Sequence, residues 1–224
     1  MSYTAAVMDD PHQVVPLQRA PVATVRLPGS KSITNRALVC ASLAEGTSTL
    51  RGALISDDTE AMLGCLAALG TRVRIESVSS AAEGGGADIS IEGSDGPPPT
   101  PGAVLDARSS GTTSRFVAPL SVTTGSAVVL DGSDQLRKRP MDDLWASIEA
   151  LGGSVTPLGE VGHRPVEMTG PEGGVRVRSV EVRGDVSSQF ISGLLMAAPV
   201  MPKGLEVVVK GELVSAPYVE MTLR

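Results

Sequence analysis

Two stretches of this chain carry the same hydrophobic face. Met62, Leu63, Leu66 and Leu69 recur at helical period, and Leu144, Trp145, Ile148 and Leu151 repeat that face 82 residues later. Both copies end in Ala-Leu-Gly. A third start of the same helix reads Pro217-Tyr218-Val219-Glu220-Met221. A second, more polar kind of helix alternates with the first. Ser30, Ser109 and Ser188 lie 79 residues apart, and so do Gly46, Gly125 and Gly204. Serine is a strong N-cap, because its oxygen accepts an unpaired backbone N–H. Glycine is favoured just past a helix end. Each of these glycines leads into a β-type run, at 47–54, 126–131 and 205–210. Each run then meets Gly52, Gly132 or Gly211, which predicts a bend or bulge.

Such self-similarity reads as three copies of one α/β unit. In the third copy only 7 residues follow Pro217, so this unit is expected to be interrupted in mid-helix. Segment 77–102 holds a Gly triplet and Pro97-Pro98-Pro99 around a short strand at 88–92, and reads as a mobile connection between the first two units. Pro119 and Pro199 fall late in their helices and predict a kink or early end.

At 224 residues and 42% hydrophobic content the chain can bury a core, built from aliphatic side chains because only 2% is aromatic. Cys40 and Cys65 fall on predicted helix faces and read as small buried thiols. His12 and His163 lack metal-ligand spacing, so no metal is expected. Residues 1–20 lack a signal-peptide core, and no apolar run approaches ~20 residues, which predicts a soluble, cytoplasmic protein without membrane contact. A net charge of −6 disfavours nucleic acid as a partner. A small anion remains a natural ligand wherever positive charge is concentrated.

The helix starts carry that charge. The first reads Ser30-Lys31-Ser32, with Arg36 one turn beyond Ser32. A helix N-terminus attracts anions, so Lys31 there opposes the dipole unless an anion binds. A nucleotide P-loop is excluded: Ser30 separates Gly29 from Lys31, and Thr24 stands where the leading glycine belongs. The second start, 109–115, offers Gly111 for close approach of a ligand to the backbone. The third offers Ser187, Ser188 and Gln189 as donors. Arg137-Lys138-Arg139 concentrates positive charge before the second-copy helix. Ser215 either caps the third-copy helix or faces a ligand. The acidic pair in Ser56-Asp57-Asp58-Thr59 reads as a helix start rather than a catalytic dyad.

At these residues the chain resembles the enolpyruvyl transferases, in the branch acting on shikimate 3-phosphate. The matching segments are LPGSKSITNR (27–36), SDDT (56–59), SSGTTSR (109–115), RKRPMDDL (137–144), GDVSSQFISGLLMAAP (184–199) and LVSAPY (213–218). The resemblance implies an inside-out α/β barrel of βαβαββ repeats. Residues 27–224 would form the shikimate-3-phosphate-binding domain, with its third repeat truncated, and residues 1–26 a lead-in belonging to the other domain. It implies transfer of the carboxyvinyl group of phosphoenolpyruvate to the 5-hydroxyl of shikimate 3-phosphate, through a tetrahedral intermediate and without cofactor or metal. Lys31, the catalytic candidate, would contact both substrates. Ser32, Arg36, Ser187, Ser188 and Ser215 would hold shikimate 3-phosphate, with Tyr218 nearby. Gln189 would bridge the two ligands and Gly111 would shape the phosphoenolpyruvate pocket. Gln135 stands where the family commonly has Arg, and Arg137 is expected to take its role. Ser109 and Phe116 replace a common Asn and Pro. Acid/base carboxylates would lie in a C-terminal domain beyond residue 224, so the chain alone is expected to be inactive and the complete protein a monomer. The other reading of the residues is a non-catalytic module binding a phosphorylated small anion.

Overall fold

The computed structural model describes residues 16, 18–25, 27–79, 85–99 and 103–224. His12 and most of the lead-in segment lie outside the described residues. Nine strands and seven α-helices follow one another among the described residues. Helix α1 (Lys31–Leu43) leads to β1 (Thr47–Ala53), α2 (Asp57–Ala68), β2 (Arg72–Ser79) and β3 (Gly86–Glu92). Then come β4 (Val104–Asp106), α3 (Gly111–Ser121), β5 (Ala127–Asp131), the short α4 (Asp134–Arg137), α5 (Asp142–Ala150), β6 (Ser154–Pro157) and β7 (Val166–Thr169). The chain continues through β8 (Ser179–Arg183), α6 (Ser188–Ala197), β9 (Glu206–Lys210) and α7 (Ala216–Leu223).

Three sheets form, in orders β1-β3-β2, β4-β5-β7-β6 and β8-β9. β4 runs parallel to β5 and β8 parallel to β9, each pair joined by a crossover helix, as parallel strands require. β3 pairs antiparallel with β1 and β2, and β7 pairs antiparallel with β5 and β6. The segment read as a connection, 77–102, holds β3, while its residues 80–84 and 100–102 lie outside the described residues. Ala87, Ile89 and Ile91 alternate into the core, which makes β3 the central strand of its sheet. The register of β1 shifts between Leu50 and Ala53, around Gly52.

Helices rather than strands fill the interior. Every residue of α3 is buried except half-buried Arg115, and α6 is buried on most of its surface. Gly193 of α6 makes the close approach of these two helices possible: a methyl group there would lie 2.5 Å from the Arg115 carbonyl oxygen. The apolar faces read from sequence pack as expected, with Met62, Leu66, Leu69, Leu144, Trp145, Ile148 and Leu151 all buried. Burying each such side chain stabilises the fold by about 1.5–3 kcal/mol.

The capping pattern needs adjustment. Ser30 caps α1, but Ser110, not Ser109, caps α3, and Ser187, not Ser188, caps α6. Ser109 instead shares a hydroxyl–hydroxyl bond of 2.9 Å with Ser133. The three glycines keep their spacing and all adopt positive φ, at 75°, 68° and 62°. Pro119 lies inside α3, which gives way to a 3₁₀ turn after Ser121, and α6 ends in a 3₁₀ turn that contains Pro199. Cys40 is exposed rather than buried, because it borders an open groove with Leu195, Met196 and Thr222 instead of packing into the core. Cys65 is buried, and its thiol is pushed up to about 12 by burial first and by the charge of Asp106 second.

Two outcomes follow from this packing. Gly193→Ala forces α3 and α6 apart and lowers the unfolding free energy by about 1–3 kcal/mol, read from the urea midpoint at constant slope. Titration with a thiol reagent finds one accessible thiol, Cys40, in the folded chain, and both thiols react once denaturant is added.

Candidate functional site

The polar starts of α1, α3 and α6 and the start of α7 carry the residues singled out in the sequence. Five of them line one cleft of about 530 Å³: Ser187, Ser188, Gln189, Ser215 and Tyr218, together with Arg115 and Pro140. Ser187 accepts from the Gln189 N–H at 3.3 Å and caps α6, which sets Ser188 and Gln189 in its first turn. Ser215 does not cap α7 through its side chain, although it sits at the α7 cap position, in a left-handed conformation with φ 58°. A non-glycine residue there costs about 1–3 kcal/mol, a strain typical of functional positions. Ser215 lines the cleft.

Arg115 joins this cleft to the start of α3. Its Nη1 donates to Gln189 Oε1 at 2.7 Å, and Gln189 Nε2 donates to Thr112 Oγ1 at 3.2 Å. A methyl group on Gly111 would lie 2.9 Å from Nη1 of Arg115 and 2.9 Å from Nη1 of Arg139, so two guanidinium groups close over that glycine. Behind them Arg164, 2% exposed, donates to the carbonyls of Leu136 and Arg139 and to Ser114 Oγ. Burial, and then the charges of Arg115 and Arg139, push Arg164 down to about 10. Burial, and then Arg139, also lower Arg115. The Nε atoms of Arg115 and Arg164 are buried without a partner. Three cations crowded at the positive end of a helix repel one another, and an anion placed among them relieves that repulsion.

The remaining candidates are placed differently. Arg137 turns away from Gly111 to grip Asp131 through two bonds of 2.9 and 2.7 Å, a fork-like pair that also lowers the Asp131 carboxyl. The cation facing Gly111 is thus Arg139, not Arg137, while Gln135 lies exposed on α4. Arg36 is buried and already well supplied with acceptors. It donates to Thr222 Oγ1 (2.7 Å), Ser32 O (3.0 Å), Ser192 Oγ (3.1 Å) and Tyr218 O (3.0 Å), and lies 5.1 Å from the Phe116 ring centroid. Arg36 thereby ties α7, with Tyr218 on it, to α1 and α6. Burial lowers its pKa. Phe116 supplies the aromatic face beneath that guanidinium. Lys31 is half-exposed and pairs with Asp58 at 3.2 Å.

In the sequence Arg139 stands out only as part of the positive run 137–139, Arg115 only as the last residue of a motif, and Arg164 carries no signal at all. A loop arginine gains meaning only when folding buries it. Among the described residues no cluster of His, Cys, Asp or Glu could hold a metal ion, and no helix is long and apolar enough to cross a membrane.

The comparisons with known proteins agree on one family. A family model described as EPSP synthase (3-phosphoshikimate 1-carboxyvinyltransferase) matches residues 18–224. The 3-phosphoshikimate 1-carboxyvinyltransferase of Janthinobacterium sp. (strain Marseille) is 40% identical over 201 residues, covering 89% of this chain and 44% of that protein. The protein of the same name from Methanothermobacter thermautotrophicus is 40% identical over 200 residues, again 89% and 44%. Among solved structures, EPSP synthase from Acinetobacter baumannii superposes with a TM-score of 0.72 at 24% identity, over 88% of this chain and 42% of that one, and shares its mixed α/β fold. The chain therefore spans less than half the length of the relatives it matches. With the motif residues of α6 and α7 lining one cleft beside Arg115 and the family model matching residues 18–224, this chain belongs to the EPSP synthase (3-phosphoshikimate 1-carboxyvinyltransferase) family.

Proposed function

We propose that residues 27–224 are the shikimate-3-phosphate-binding part of a 3-phosphoshikimate 1-carboxyvinyltransferase of the shikimate pathway, which leads to aromatic amino acids. The observation that carries this reading is the cleft itself. It gathers Ser187, Ser188, Gln189, Ser215 and Tyr218 beside Arg115, with no carboxylate in its lining among the described residues. Hydroxyls and helix-start N–H groups suit a phosphate and a polyol ring, and charge-assisted bonds to the phosphate would be the strong ones.

Phosphoenolpyruvate would lie over Gly111, where the Arg115 and Arg139 guanidinium groups meet. Lys31, at the start of α1, would reach both ligands. Gln189, already bonded to Arg115 and Thr112, would sit between them. Ser32 and Arg36 would complete the shikimate 3-phosphate contacts once Arg36 exchanges a protein acceptor for the ligand. The reaction moves the carboxyvinyl group to the 5-hydroxyl and releases phosphate. Its acid/base carboxylates would come from the part of the relatives that this chain does not cover. Closure of the two parts would exclude water and complete the site. The 224-residue chain would then bind without turning over, and the whole enzyme would act as a cytoplasmic monomer.

We further infer that each sheet with its helices is one βαβαββ unit of an inside-out barrel. The β5-β7-β6 pairing matches β1-β3-β2 in order and sense, and β8-β9 matches β4-β5, which supports this. The third unit would then be represented by β8, α6, β9 and α7.

Thermal unfolding tests the site. Shikimate 3-phosphate raises the transition of the purified chain, by about 2.7 kcal/mol at 100 times its dissociation constant. A cooperative transition that does not move counts against the assignment. Phosphate release from the two substrates stays at background. Calorimetric titration with phosphoenolpyruvate separates the arginines: Arg139→Ala weakens binding about tenfold or more, whereas Arg137→Ala leaves it within about twofold.

A further inference from the structure

Lys31 poses an electrostatic problem that the fold solves with one carboxylate. It is the first residue of α1, the first turn holds no acidic residue, and a cation there opposes the helix dipole. We propose that Asp58 is the positioning residue for Lys31, and that through it the starts of α1 and α3 are set together for the phosphate-bearing ligand. This rests on the shikimate-3-phosphate reading above, and the experiment below separates the two.

Asp58 belongs to the first turn of α2, yet it serves the other two helices. Its Oδ2 lies 3.2 Å from Lys31 Nζ, and its Oδ1 accepts from Ser110 Oγ, the α3 cap, at 2.7 Å. Its carbonyl oxygen accepts from Thr113 Oγ1 at 3.0 Å. The other carboxylates of that turn point elsewhere: Asp57 and Glu60 both pair with Arg108, at 3.2 and 2.9 Å. Asp58 alone of the three touches a residue assigned to the ligand. As a source of stability an ion pair this exposed is worth little. Its worth lies in orientation, because Ser110 pins the carboxylate on one side and Lys31 takes the other.

The sign of one effect decides the matter. A carboxylate beside an anion site repels the anion, so by Coulomb's law alone its removal tightens binding. If Asp58 holds Lys31 in place, its removal loosens binding despite the lost repulsion.

The test uses the folded 224-residue chain in four forms: wild type, Asp58→Asn, Asp58→Glu and Asp57→Asn. The last removes an equal charge from the same turn without touching Lys31. Reductive ¹³C-methylation, which keeps the charge, marks the four lysines, and loss of one signal in Lys31→Arg assigns Lys31. The Lys31 methyl signal moves to the position of a free lysine in Asp58→Asn and stays in Asp57→Asn. In calorimetric titration, shikimate 3-phosphate binds Asp58→Asn at least about tenfold more weakly, and Asp58→Glu recovers to within about threefold of wild type. Asp57→Asn binds as wild type or more tightly. An unmoved Lys31 signal, or Asp58→Asn binding as tightly as wild type, overturns the proposal. A wild-type chain that ignores shikimate 3-phosphate while Lys31 responds to Asp58→Asn overturns the ligand assignment and upholds the positioning. Should Asp58→Asn fail to fold, Ser110→Ala frees the other arm of the carboxylate without altering charge, and a Lys31 signal unmoved there is equally fatal.

Discussion

Helix α3 is buried except at half-buried Arg115, and a buried helix must still find partners for the N–H groups of its first turn and the carbonyls of its last. That requirement shapes what surrounds it. Ser110 caps the Thr113 N–H, Asp58 receives both Ser110 and Thr113, and Gln189 of α6 receives Arg115 while donating to Thr112. The start of α3 is therefore polar because it is enclosed. The helices that enclose it, α1, α2 and α6, bring their own polar starts or small residues to the same end. Gly193 lets α6 come close enough for Gln189 to make that bridge.

The same burial concentrates charge. The chain carries a net −6, yet Arg115, Arg139 and Arg164 meet near Gly111 without a carboxylate in bonding contact, among the described residues. Burial first, and the neighbouring guanidinium groups second, lower the pKa of Arg115 and Arg164. Arg137, one turn away from the same loop, shows the contrast. Bound in a fork to Asp131, it is neutralised and turned outward. Two arginines two residues apart thus take opposite roles, and the geometry of one short helix, α4, decides which is which.

Arg36 illustrates a further division of labour. Its four protein acceptors come from α1, α6 and α7, so the residue that the family resemblance gives to the ligand also fastens the element that carries Ser215 and Tyr218. The strained Ser215, uncapped and lining the cleft, gains its position from that fastening.

Much of this was legible in the chain. The apolar faces of α2 and α5, the β runs after Gly46, Gly125 and Gly204, the polar helix starts and the family motifs all follow from local chemistry, since periodicity, capping and backbone freedom act over a few residues. The exact cap, Ser110 rather than Ser109 and Ser187 rather than Ser188, did not, because adjacent serines have equal local merit and only the incoming strand fixes the register. Nor did the central place of β3, whose short alternating run gains meaning from β1 and β2 on either side. The roles of Asp58, Arg139 and Arg164 were decided by tertiary structure alone. A charge is defined by what it faces, and residues 27, 52 and 25 positions apart (Lys31 and Asp58, Asp58 and Ser110, Arg139 and Arg164) come to face one another only when the helices pack.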